Sequence, residues 1–170
     1  MRNVHTRVVH TPVDNLSDLL ETLASADDKL WPTSDWWPIR LDDGLKVGSE
    51  GGHGPVRYEV VEYEPGRRVR FRFAPDFGLQ GEHEFRVESE GHGARITHVM
   101  TGGMKGSMVV LWPLVVRWMH DALLEQLMDN AERHTTGEPA KPHRMSAWVR
   151  LWRRILVGRA AESDRHPARR

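Results

Sequence analysis

A chain of 170 residues without a cysteine is long enough for one domain with a true core, and it excludes disulfides, thiolate metal sites, iron–sulfur clusters and cysteine nucleophiles. Its 24 basic and 24 acidic residues cancel unevenly: from Glu138 onward nine basic residues face three acidic ones, so the tail carries +6 and the body −6. An acidic body lacks the cationic face that phosphate binding needs, which excludes nucleic acid as its partner.

Met1 to His10 holds Arg2, His5, Arg7 and His10 and no apolar leader, so no targeting segment is expected. With cysteine absent, a cytoplasmic location is expected. Asn3 to Thr11 alternates and is rich in Val and Thr, which predicts the first strand. Thr11-Pro12 ends it and opens a helix, with Thr11 as N-cap, Pro12 at the first helical position and Asp14 in the first turn. Val13, Leu16, Leu19, Leu20 and Leu23 give that helix one inward face. A short second helix is expected over Asp27 to Trp31, stopped by Pro32. Trp31 to Pro38 is a loop by its prolines and holds Trp31, Trp36 and Trp37. A further strand is expected near Leu45 to Ser49, and Glu50 to Pro55 reads as a glycine-rich turn.

The clearest strands follow. Val56 to Glu64 ends at the Pro65-Gly66 turn. In Arg68 to Ala74, Val69, Phe71 and Phe73 point one way while Arg68, Arg70 and Arg72 point the other, so the sheet has one wet side. Glu82 to Ser89 sets His83, Phe85 and Val87 on one face. Glu90 to Gly93 turns the chain, and Ala94 to Thr101 returns with Ile96, His98 and Met100 together. Four strands joined by short turns predict an antiparallel meander. Gly102 and Gly103 break the pattern.

From Ser107 to His134 the period becomes helical over roughly 40 Å. Trp112, Val116, Met119, Leu123, Leu127 and Ala131 form the expected buried stripe, and Asp121, Glu125, Asp129 and Glu132 lie off it. Pro113 belongs in the first turn or at a kink. The apolar run from Met108 to Val116 is about half of the ~20 residues that span a bilayer. Gly137 and Pro139 end the domain. Strand, helices, a run of strands and one long helix predict an α+β fold in which the terminal helix covers the apolar face of the sheet.

That order, with the stretches Gly52 to Tyr58, Glu64 to Phe71, Gly81 to Phe85, and Leu111 to Leu114 leading into His120 to Leu123, resembles the START-like helix-grip (SRPBCC) superfamily, within it the polyketide cyclase/dehydrase-like branch. The likeness covers about Val4 to His134. It implies a curved antiparallel β-sheet wrapped around a long C-terminal α-helix, with short helices after the first strand and a deep cavity between sheet and helix. Residues 1–137 are then a START-like ligand-binding domain and 138–170 a basic tail. Uses in the superfamily range over lipid or sterol carriage, polyketide ring closure, hormone sensing and chaperone regulation, with no shared set of catalytic residues. The resemblance therefore implies fold more than function.

The concave face, by strand parity, carries His83 and His98 as placed polar groups in an apolar wall. A two-residue hairpin loop at Glu90-Gly91 sets them directly opposite; a four-residue loop makes them diagonal neighbours. As candidate catalytic residues they orient a ligand carbonyl or hydroxyl, or act on it as acid and base. The plainer reading is a pair of satisfied core or rim histidines. Trp37, Tyr58, Phe71, Phe73, Phe85, Met100, Trp112 and Met119 complete the expected ligand-binding set. The tryptophan loop is a lid or stacking wall, or ordinary core at one end of the cavity. Trp112 and Trp118 read first as packing residues, and Arg40 as a surface arginine that could instead meet an anionic ligand group. Ten histidines without compact spacing give no expected metal or cofactor; a site from His83, His98 and His120 requires the third to face the sheet. Gly51 to Gly54 lacks the Lys-Ser/Thr and the helix of a phosphate loop.

Residues 144–158 read as an amphipathic helix, with Trp148, Leu151, Trp152 and Ile155 on one side and Arg150, Arg153 and Arg154 on the other. Such a helix suits peripheral contact with an anionic inner-membrane surface; docking on the acidic body or a partner is the alternative. Three functions fit. The first is binding or carriage of a small hydrophobic ligand such as a lipid, isoprenoid or polyketide-like molecule. The second is a polyketide cyclase/dehydratase-type enzyme that works by holding a flexible chain folded. The third is an interaction module that uses the tail.

Overall fold

The alternating segments form seven strands: β1 (Arg2–Val9), β2 (Arg40–Leu41), β3 (Glu50–His53), β4 (Val56–Glu64), β5 (Arg68–Phe73), β6 (Leu79–Glu90) and β7 (Gly93–Met104). This computed structural model describes residues 1–158. The strands make one antiparallel sheet in the order β1-β7-β6-β5-β4-β3-β2. Helix α1 (Val13–Glu21) follows β1. After β7, α2 (Met108–Leu111), a π-helical turn (Trp112–Val116) and α3 (Arg117–Thr136) run without interruption as one long helix inside the curved sheet. Phe71, Phe85 and Ile96 from the sheet meet Leu124, Leu127 and Met128 from α3 and Leu16 and Leu20 from α1 in one core. The architecture is α+β helix-grip, with one helix after β1. Among the described residues no helix is long and apolar enough to cross a membrane.

Several local expectations are corrected. Pro12 occupies the N-cap position of α1 with no side-chain cap, and Thr11 Oγ1 accepts from Asn15 Nδ2 at 2.8 Å. Asp27 to Trp31 is not helical. The Asp28 carboxylate accepts the backbone N–H groups of Ala24, Leu30 and Trp31 at 2.9, 3.0 and 2.8 Å, and such local bonding competes with a helical ladder. Leu45 to Ser49 is loop, and the glycine-rich Glu50–His53 is the strand. A side chain at Gly51 or Gly52 would overlap the Arg40 or Val56 carbonyl oxygen, so the glycines let β2 and β4 close on β3 from both sides. Likewise β7 runs through Gly102, which pairs with Gly81 on β6 where the two backbones approach too closely for a Cβ. Pro113 lies in the π turn, where its missing N–H widens the helix; the Trp118 indole donates to its carbonyl at 3.0 Å.

The tail helix α4 (Ala147–Leu156) lies on the body. Val149 and Val157 are its buried anchors, and Trp152 packs partly against the core. Arg153 donates to the Asp35 carbonyl at 3.1 Å and pairs with its carboxylate at 3.1 Å. Trp148 donates to the Leu114 carbonyl at 3.0 Å. Of the expected stripe, Trp148, Leu151 and Ile155 remain exposed and Trp152 alone turns in, beside Val149 and Val157, which the stripe does not include. The part of the basic tail from 159 to 170 lies outside the described residues.

Candidate functional site

Wrapping the sheet around α3 leaves a hollow of about 210 Å³. The sheet contributes Phe73, Leu79, His83, Phe85, His98 and Met100; the long helix contributes Trp112, Val116, Met119, His120, Leu123 and Leu124. Trp31, Trp36 and Trp37 close one end with His53, Pro55 and Val56, and Leu156 reaches in from α4. Drug-sized sites run to about 300–1,000 Å³, while about 150 Å³ holds a single benzene, so this hollow suits one or two rings or a short chain. A polar groove beside β2 and β3 shares Trp37, Pro55 and Leu156 with the hollow, which makes these three the wall towards solvent. Trp31 and Trp36 are held in place, donating to the Trp37 carbonyl at 2.8 Å and to Gln126 Oε1 at 2.6 Å. Trp37 lies against Gly54, where any side chain would overlap its indole.

Of the residues expected to bind ligand, Trp37, Phe73, His83, Phe85, His98, Met100, Trp112 and Met119 line the hollow. Tyr58 and Phe71 do not. They are buried behind it, with Tyr58 edge-on to Phe71 and His83 at ring distances of 4.9 and 5.0 Å, and Phe71 stacked on His83 at 4.9 Å. Arg40 lies in the polar groove, and Trp118 is exposed on the helix.

The hairpin between β6 and β7 turns on Gly91 and His92, with Glu90 paired to Gly93, so Phe85 stands opposite His98 and His83 opposite Met100. The two histidines are diagonal neighbours, His98 Nε2 lying 3.4 Å from His83 Nδ1. Phe71 and Phe73 stack on His83, each at 4.9 Å, while His98 meets Phe85 at 4.7 Å and His120 at 5.3 Å. Burial, then the nearby imidazoles, pushes both pKa values well below the ordinary histidine value. At neutral pH they are uncharged hydrogen-bonding groups. They are not satisfied core histidines: His83 Nε2 and His98 Nδ1 are buried without a hydrogen-bond partner among the described residues. A buried orphan nitrogen calls for an explanation.

The expected ligand-binding set omits His53 and Leu156, and the sequence reading takes His120 only as a metal ligand that must face the sheet, which it does. His53 was hidden in a glycine run read as a turn; its Nδ1 lies 3.2 Å from the Tyr58 hydroxyl and its ring 4.9 Å from Trp31. His120 stands four residues after Val116 and one after Met119, so helical spacing alone places it at the edge of the buried stripe. Leu156 lies beyond the expected domain end at Gly137, and no local signal marks it.

Behind this wall lies a polar knot between β1 and α3. His5 bridges Glu125 at 2.8 Å and Asp121 at 3.1 Å. Burial lowers the His5 pKa, and the two carboxylates more than reverse this. Asp121 is held well below the usual carboxylate range: burial works against that, but the nearby His120 imidazole, 3.8 Å away, and the hydrogen bonds with His5 and Asn3 outweigh it. Arg7 reaches Glu132 at 2.9 Å, Glu125 at 3.1 Å and Asp129 at 3.3 Å. Asp129 and Glu132, expected off the buried stripe, are thus buried by a partner from β1.

The profile of a family described as polyketide cyclase / dehydrase and lipid transport matches residues 4–132. No curated protein matches the sequence. Among solved structures, CalU16 from Micromonospora echinospora is similar at TM-score 0.56 and 17% identity, covering 92% of this chain and 86% of its own. The Aha1 dimer from Colwellia psychrerythraea matches at TM-score 0.56 and 14% identity, covering 82% of this chain and 99% of its own. A Thermobifida fusca protein matches at TM-score 0.59 and 12% identity, over 85% and 99%. At such identities these likenesses speak to fold alone.

Proposed function

The chain belongs to the polyketide cyclase/dehydrase and lipid transport family, and from that premise we propose that it binds and carries a small hydrophobic molecule between the sheet and α3. The observation behind this reading is a pairing: walls of Phe, Met, Leu and Trp side chains, and set in them the unpartnered nitrogens of His83 and His98. An apolar body with one carbonyl or hydroxyl answers both. Its surface drives burial, and its oxygen supplies the missing hydrogen bonds. A longer lipid or isoprenoid must extend past Trp37 and Leu156 into the polar groove. A cyclase- or dehydratase-like activity is the second reading. It is favoured by the 3.4 Å contact between two uncharged imidazoles on the cavity wall, which can orient a ligand carbonyl or hydroxyl for ring closure.

Loading, in this reading, takes place at the anionic cytoplasmic face of a membrane. Val110, Leu114 and Trp118 on the long helix and Trp148, Leu151 and Ile155 on α4 are exposed. The segments that carry them, 103–118 and 139–158, hold seven Lys and Arg residues and no Asp or Glu. Arg117 and Arg153 pair with Asp121 and Asp35, which leaves five of these cations beside the apolar anchors, and that combination matches an anionic lipid surface.

Native mass spectrometry of freshly purified full-length protein tests the first claim. The expected result is a co-purifying apolar molecule bearing oxygen, lost from the His83→Gln/His98→Gln variant. An empty protein that turns over a polyketide mimic favours the enzyme, and an empty, inert one that retains a protein partner favours an interaction module. Flotation with anionic and neutral vesicles tests the second claim: Leu114→Glu/Leu151→Glu is expected to lose anionic-vesicle binding while keeping its ligand. Equal flotation on both vesicle types, or none, removes the membrane step.

A further inference from the structure

We propose that His5, His120 and Asp121 bind one divalent transition-metal ion, zinc being the ion their donors fit best. The period of two in β1 turns His5 towards α3, where His120 and Asp121 are adjacent. One donor atom from each of the three lies within 4.8 Å of the others. His5 Nε2 is 3.1 Å from Asp121 Oδ1, and His120 Nδ1 is 3.8 Å from the same oxygen. Bonds of about 2.0–2.2 Å to a tetrahedral ion set neighbouring donors roughly 3.3 Å apart, so small side-chain shifts complete the set. Two imidazoles and one carboxylate favour zinc and its first-row neighbours over calcium or magnesium, which need mostly oxygen.

Two observations separate this from a bare ion pair. The first is the shell around the donors. His5 Nδ1 meets Glu125 at 2.8 Å, which leaves Nε2 to ligate; Arg7 holds Glu125 at 3.1 Å; Asn3 Nδ2 donates to Asp121 Oδ1 at 2.8 Å. A carboxylate on the far nitrogen of a ligating histidine is the usual support of such sites. The second is His120 Nδ1, which is buried and has no hydrogen-bond partner among the described residues. A proton shared between His5 and the carboxylates leaves that nitrogen stranded, whereas a cation between the three satisfies it. Because the His120 ring also lines the hollow, the ion would lock one wall of the cavity. The site stands on its own donors and does not depend on what the cavity holds.

Tag-free full-length protein, stripped with a chelator, is titrated with Co²⁺ and then Zn²⁺. The expected result is one Co²⁺ per chain with visible d–d absorption, displaced by Zn²⁺, and a rise in Tm with either ion. His5→Gln, His120→Gln and Asp121→Asn each weaken binding by at least ~100-fold, and Glu125→Gln, which keeps all three ligands, weakens it by roughly 10–100-fold. Circular dichroism of each variant guards against loss of fold, and His134→Gln, an exposed histidine, leaves binding unchanged. Absence of a cobalt spectrum in the parent protein overturns the proposal outright. So does binding of undiminished strength in the His5→Gln/Asp121→Asn variant, which makes it an adventitious ion only.

Discussion

Replacing Arg7 with methionine keeps the aliphatic stem and removes the charge that holds three carboxylates. Its guanidinium lies 2.9–3.3 Å from Glu132, Glu125 and Asp129. Exposed pairs of this kind contribute ~0–1 kcal/mol, whereas removing one partner of a buried pair costs ~3–5 kcal/mol. Burial decides between these figures. Asp129 and Glu132 are 4% and 9% exposed, so both are left as uncompensated buried charges. The Arg7 side chain is itself 21% exposed, which lets water soften the loss and sets the expectation near the lower end, at ~3 kcal/mol. For a chain of this size that lowers Tm by ~6–12 °C. Urea unfolding followed by tryptophan fluorescence at pH 7 measures it directly. The Arg7→Met/Asp129→Asn/Glu132→Gln variant should recover most of the loss, because neutral amides need no counter-charge. A loss under ~1 kcal/mol, or one erased by 0.5 M salt, would mean that the knot behaves as surface ion pairs do and would refute the reasoning.

Two further outcomes follow from the backbone and the buried imidazoles. Gly102→Val drives a side chain into the Gln80 carbonyl and should cost ~2–4 kcal/mol in the same assay, while Gly103→Ala, which meets open space, should stay within about 1 kcal/mol. His53 is pushed down to about 3, first by burial and then by the nearby His120 and Arg57 charges. A folded-state value below the unfolded one means that its stabilisation is complete above about pH 6.5 and is lost as pH falls from there towards 3. Between pH 7.5 and 5 this group contributes at most ~2 kcal/mol of acid destabilisation. His53→Gln should flatten the profile of urea midpoint against pH over that range; an unchanged slope would count against a neutral His53.

Legibility in the sequence followed the range of the forces involved. Strand β5 was readable because Val69, Phe71 and Phe73 alternate with arginines, and both faces meet what their chemistry requires. The long helix was readable for the same reason at period 3.6. The facing of His83 and His98 into the sheet's concave side needed only parity; their diagonal offset needed the turn, which composition around Gly91 left open. Strand β3 was not readable, since Glu-Gly-Gly-His has no alternation and pairs only because two neighbouring backbones close on its glycines. Burial of Asp129 and Glu132 was equally hidden: their partner lies more than 120 residues earlier.

Strand β1 shows why the polar knot matters for specificity as well as stability. Two of its three valines, Val4 and Val8, are exposed and only the last, Val9, is buried, while Asn3, His5 and Arg7 turn inward. Hydrophobicity alone favours the opposite face, and a slip of one residue against β7 would deliver it. What opposes the slip is the row of carboxylates on α3: Asp121 and Glu125 for His5, and Glu125, Asp129 and Glu132 for Arg7. In the slipped register these carboxylates would face valines. Charge therefore sets the register of β1 together with the single buried Val9, and inward-pointing charges on an edge strand also discourage pairing with other chains. Through that register the N-terminal strand delivers His5 to Asp121, beside His120 on the cavity wall, so the polar side of α3 and its apolar side are positioned by the same contact.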